Sequence, residues 1–198
     1  VHRSSGFAIL NNVIRESFFG ILIEKSNHGK VYDNKVIGKA TREDQSGNGV
    51  HLWDCDSVQI VRNEVSGMRD GIYLEFVDGS VVSENHSHHN VRYGLHFMFS
   101  NHDDYRRNTF ESNGAGVAVM FSKWISMVEN TFIQNWGSAS YGLLLKEIYD
   151  GDVINNTFDR NTIAVYVDGS SRVNYSHNLF RQNGWAIKVS GGCYANRF

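Results

Sequence analysis

The chain has 198 residues, a formal net charge of -2 and a pI near 6.5, so no electrostatic pull draws it to nucleic acid or an anionic membrane. It contains no run of 18 apolar residues to span a bilayer, and two cysteines, Cys55 and Cys193, are too few for a disulfide framework. What remains is a ladder-and-turn composition: no Pro to interrupt strand hydrogen bonding, and 19 Gly with many Asn to make tight turns.

In chain order, one frame recurs. A small residue opens an alternating segment at Gly20, Gly49, Gly71, Gly94, Gly116, Gly142, Ala164 and Ala186. From each of the first seven, an Asn follows 14 residues later: Asn34, Asn63, Asn85, Asn108, Asn130, Asn156 and Asn178. An apolar residue stands two places after each Asn, as in Asn108/Phe110, except at Asn85, where Ser87 breaks the rule. The return from Asn to the next small residue is usually 8 residues, but 9 after Asn85, 12 after Asn130 and 15 after Asn34. The base period is therefore 22, with insertions at one corner, as in a solenoid whose loops leave from one edge.

Each period carries three short β signatures. Counting from the small residue, positions +1 and +3 are apolar (Leu95/Phe97, Val117/Val119), position +11 is apolar (Ile60, Val82, Tyr105), and the residue after the Asn-x pair supplies a third. Period-two alternation with turns too short for crossover helices predicts an all-β fold. The architecture expected is a right-handed parallel β-helix of about eight 22-residue coils with three short strands each. It forms one domain over residues 1–198, and the uncapped ends mark it as part of a longer solenoid. The recurrent Asn is expected to stack as a ladder of side-chain amides. Six coils separate Cys55 from Cys193, far beyond disulfide reach.

If +1 and +3 point inward, +2 and +4 point outward and stack from coil to coil. The second to fifth coils then present His51, Trp53, Tyr73, Glu75, His96, Met98 and Met120 on one face. His96 and Met98 are two apart on one strand, and Met120 lies one coil from Met98. Imidazole and thioether make a soft donor set, so we assign His96, Met98, Met120 and His51 as metal ligands for Cu(I). The competing reading packs these methionines beneath the insertion loops as a satellite core. Met127 falls on the inward +11 column and is core. A second group, His86, His88 and His89 with His102, suits a borderline metal or a set of solvated turn histidines, and Cys55 is a third candidate for copper. The nucleophile and phosphate-loop motifs are absent. Glu75 with Asp70, Arg69, Trp53 and Tyr73 leaves open a groove that binds or cleaves a sugar chain.

Three runs carry a family resemblance: Arg92 through Ser100 (Arg-Tyr-Gly-Leu-His-Phe-Met-Phe-Ser), Asn113 through Ser122, and Asn135-Trp136-Gly137 through Tyr141 to Glu147. With Asn183-Gly184-Trp185-Ala186 they resemble the NosD family. The resemblance covers most of the chain, and the generic repeat would not fix its Met and Trp positions. It implies a right-handed β-helix of the carbohydrate-binding superfamily type without sugar-cleaving activity, and hence no enzyme. It further implies a periplasmic accessory protein for nitrous oxide reductase maturation, handling copper for the copper–sulfur centres. The implied partners are an ABC transporter permease and ATPase, a copper chaperone lipoprotein and the apo reductase. Contact with the membrane would come only through those partners.

Overall fold

In the computed structural model, which describes residues 1–137 and 140–198, the chain winds through three parallel sheets of eight strands each. The first sheet runs from Ala8–Leu10 to Ser171–Ser176, the second from Val13–Arg15 to Leu179–Arg181, and the third from Ile21–Glu24 to Trp185–Val189. Every strand pairs with its counterpart one coil away, so the chain is a right-handed parallel β-helix with three strands per turn, as the repeat predicts. The sole helical element among the described residues is a 3₁₀ turn, Glu43–Gln45, inside the Asn34–Gly49 insertion. Among the described residues no helix is long and apolar enough to cross a membrane.

Two devices hold the coils in register. The first is steric. A Cβ at Gly116 would lie 2.3 Å from the carbonyl oxygen of Gly142, so the corner that opens the third sheet tolerates only small residues. The second is polar. The side-chain Oδ1 of Asn108 accepts from both the backbone N–H and the amide of Asn85, and the Asn108 amide donates to Val82 O at 2.8 Å and to Asn130 Oδ1 at 3.0 Å. The same pattern links Asn12, Asn34, Asn63, Asn85, Asn108, Asn130, Asn156 and Asn178. The residue before each ladder Asn takes a positive φ, as at Arg107 (53°) and Glu129 (58°), which turns the amide into the coil. An L-residue pays roughly 1–2 kcal/mol for that conformation, and the buried amide bonds offset it.

A second ladder, unforeseen in the repeat reading, joins Asn90, Asn113, Asn135, Asn161 and Asn183 at the next corner. Its signal lies in the sequence as an Asn five residues after each of the last five members of the first ladder.

Between the ladders, the coil interior is apolar and stacked. Phe110, Phe132, Phe158 and Phe180 pile at 5.5, 4.6 and 5.2 Å between successive ring centroids. Ser87 interrupts this column without leaving its hydroxyl unmet: it donates to Gly94 O at 2.7 Å and accepts from the Asn90 amide. Cys55 and Met127 belong to the same core.

Candidate functional site

The outer face of the third sheet is set by three strands: Asp70–Asp78, Tyr93–Met98 and Ala115–Met120. Leu95 and Phe97 alternate inward and are fully buried, which turns His96 and Met98 the other way. In register, Tyr73, His96 and Ala118 form one column, and Glu75, Met98 and Met120 form the next. Met98 and Met120 are therefore direct partners on neighbouring strands, about 4.8 Å apart. His51 pairs with Tyr73, whose ring stands between the two imidazoles, 4.8 Å from His51 and 5.1 Å from His96. The structure thus brings His96, Met98 and Met120 together and sets His51 two strands away, roughly 10 Å from His96.

The +2 position faces out of the coil but is not open. His96 is only 5% exposed, and the neighbouring Ala118 and Leu144 of its column are buried too. The Tyr93 ring lies against His96 at 4.8 Å. Asp70, at the start of the preceding strand, is fully buried and gathers charge around the imidazole. Its Oδ2 is 3.8 Å from His96 Nδ1, and its Oδ1 is 3.4 Å from Arg92 Nε and accepts from the Tyr93 backbone N–H. Arg69 closes the other side, with Nε 3.8 Å from Asp70 Oδ2. Arg92 Nη2 also reaches His96 Nδ1 at 3.5 Å.

These neighbours pull the imidazole toward opposite tautomers. The Asp70 carboxylate favours Nδ1–H, which frees the lone pair at Nε2; the guanidinium favours the reverse. His96 Nε2 is buried with no hydrogen-bond partner, an unmet position that a metal ion would satisfy in the Nδ1–H form. Met98 and Met120 are half-buried, so their thioethers are neither sealed in a core nor free in water. At His51, burial and then Arg69 hold the pKa below the usual value, which keeps that ring neutral and able to ligate.

The sugar groove is placed less favourably. Tyr73 O–H donates to Glu75 Oε2 at 3.3 Å, and burial with the Glu75 charge pushes the phenol up to about 12. Lys25 Nζ sits over the Trp53 ring at 5.0 Å and covers one face of it. Asp70 and Glu75 are five residues apart on one strand, about 16 Å along the backbone. Paired glycosidase carboxylates stand roughly 5–9.5 Å apart. Cys55 is buried in the core, and burial raises its thiol pKa, the opposite of a thiolate ligand.

One feature beside the methionines escaped the sequence reading. Phe76, Phe99 and Phe121, the +5 residues of three successive coils, stack face to face at 5.2 Å while remaining exposed. With Trp124, Asp54 and Asp78 they line a groove of about 540 Å³. The alternation rule stops at the strand end, and each of these Phe has a positive φ (54°, 50° and 54°).

The model of the family described as "Periplasmic copper-binding protein (NosD)" matches residues 33–198. A "Probable ABC transporter binding protein NosD" of Pseudomonas aeruginosa is 33% identical over 69 residues, covering 34% of this chain and 16% of that protein. One of the same description from Stutzerimonas stutzeri is 33% identical over 64 residues, covering 32% and 15%. The matched segments thus span under a fifth of these relatives' length. Among solved structures, the periplasmic alginate epimerase AlgG overlays with a TM-score of 0.66 at 13% identity, over 92% of this chain and 50% of its own. DFA-IIIase from Arthrobacter chlorophenolicus overlays with a TM-score of 0.61, also at 13% identity, over 93% and 52%. At such identities the likeness is one of fold.

Proposed function

The chain belongs to the NosD family of periplasmic copper-binding proteins, and from that premise we propose that it handles Cu(I) through His96, Met98 and Met120. The observation that carries the reading is the register. Two thioethers stand opposite each other on adjacent strands, beside a buried imidazole whose Nε2 has no partner. That donor set suits a soft monovalent ion and suits Mg²⁺ or Ca²⁺ poorly. Half-burial of the methionines leaves the ion accessible for hand-over. His51, held neutral two strands back, serves a neighbouring position and not the same coordination sphere.

In this reading copper is cargo and the protein is an accessory, not an enzyme. It acts in the periplasm in maturation of nitrous oxide reductase, taking copper from a lipoprotein chaperone and passing it toward the apo reductase with an ABC transporter. The names of the two curated relatives support the transporter association. Sugar binding has only fold likeness behind it, since the carboxylates of the groove are too far apart to act as a pair.

The test is an anaerobic titration of the reduced protein with Cu(I) against a competing chromophoric chelator. One tightly bound equivalent, lost in Met98→Ala/Met120→Ala, is the expected result. Unchanged binding in that variant would remove the methionines from the function.

A further inference from the structure

On the second sheet, away from the methionine face, His86 opens and His88 closes the short strand His86–His88, and His89 follows it. His88 Nδ1 and His89 Nδ1 are 2.8 Å apart. We propose that this pair is a second metal site, a bis-imidazole chelate for a divalent ion of tetragonal preference such as Cu(II) or Ni(II).

Two neutral imidazoles facing each other through the same kind of nitrogen share one proton, and a metal ion can replace it. Metal–imidazole bonds are about 2.0–2.1 Å, so a 2.8 Å separation subtends roughly 85° at the metal. That is a cis angle of square-planar or octahedral coordination; a tetrahedral ion would need the nitrogens about 3.3 Å apart. Among the described residues no three His, Cys, Asp or Glu groups converge on one point, so water completes the sphere.

The surroundings hold the rings in the form the metal needs. Ligation through Nδ1 puts the proton of His88 on Nε2, and the Glu64 carboxylate stands 3.5 Å from that atom to accept it. His86 stacks on His88 with centroids 4.3 Å apart, and is itself tied through Nε2 to Glu111 at 3.0 Å. Glu64 also pairs with Lys35 at 2.7 Å, so its position is fixed from both sides.

The experiment adds CuSO₄ to the oxidised protein and records the electron paramagnetic resonance spectrum and the dissociation constant. The expected outcome is one tetragonal Cu(II) with hyperfine splitting from two nitrogens. His89→Asn, chosen because Asn tolerates the positive φ of 52° at that turn, should lose one nitrogen and weaken binding at least tenfold. Met98→Ala/Met120→Ala should leave the Cu(II) spectrum unchanged, so this site and the Cu(I) reading fail separately. A spectrum that survives His88→Gln/His89→Asn, or one that vanishes in the methionine variant, overturns the proposal.

Discussion

Asn108 offers the sharpest test of what fixes the register on which the methionine face depends. Asn108→Ala removes an acceptor for the Asn85 backbone N–H (3.0 Å) and a donor to Val82 O (2.8 Å), while both partners stay buried. Asn85 keeps its amide bond to Ile60 O, Asn130 Oδ1 keeps the Asn108 backbone N–H, and Val82 O keeps its place in the strand ladder with Asp104–Arg106, so one backbone group, the Asn85 N–H, is orphaned. At about 1–3 kcal/mol for an unsatisfied buried group, the variant should lose about 1–3 kcal/mol. The half-buried end rung Asn178 supplies the comparison, since truncating a side chain that already reaches solvent should let water in to the groups it leaves, and its cost should fall at or below the lower end. Urea denaturation followed by circular dichroism reads both, with the slope m expected unchanged. A loss under about 0.5 kcal/mol for Asn108→Ala, the level of an ordinary surface substitution, would refute the ladder as the source of register.

Three further outcomes follow from the same structure. Asp103 is buried, accepts from the Ser80 N–H and the Tyr105 O–H, and desolvation raises its pKa to about 8. The unfolded chain releases this proton near pH 4 and the folded one keeps it until about pH 8, so stability is fullest below 4, falls between 4 and 8, and levels above. Asp103→Asn should flatten that slope, which denaturation at pH 5 and pH 8 would show. Phe132→Ala, in the middle of the interior stack, should cost about 3–5 kcal/mol in the same urea assay. On the methionine face, Met98→Ala and Met120→Ala should each weaken Cu(I) binding, and the double variant should fall short of the summed losses if both thioethers serve one ion, as proposed; strict additivity in the chelator competition would mean separate sites.

The fold was legible because its constraints are local and repeat. The constant 14-residue step from small residue to Asn set the register, and the columns read from it, Tyr73/His96/Ala118 and Glu75/Met98/Met120, are the ones the sheet pairs. The second Asn ladder was present in the spacing and overlooked. Other features were not legible at all. Alternation says which way His96 points, but its burial comes from Tyr93 and Arg92 folding over from the corner and Asp70 from the previous coil. The close approach of His88 and His89 is likewise a product of the strand ending, since alternation alone would send neighbours to opposite faces.

A parallel β-helix restricts how a metal site can be written into a sequence. Side chains of neighbouring coils stand one strand spacing apart, about 4.8 Å, and alternate residues on one strand about 6.6 Å. Two flexible thioethers in register, as Met98 and Met120 are, can reach across the first distance, whereas two coils put donors roughly 10 Å apart, beyond one shared ion. On the proposed function, His51 and His96 would therefore serve successive stations along the face. Hand-over between stations needs donors that release their ion, and half-exposed thioethers beside an imidazole poised between two tautomers meet that need better than a closed set of rigid ligands. The rigidity resides in the Asn ladders and the interior stack, which hold the face still.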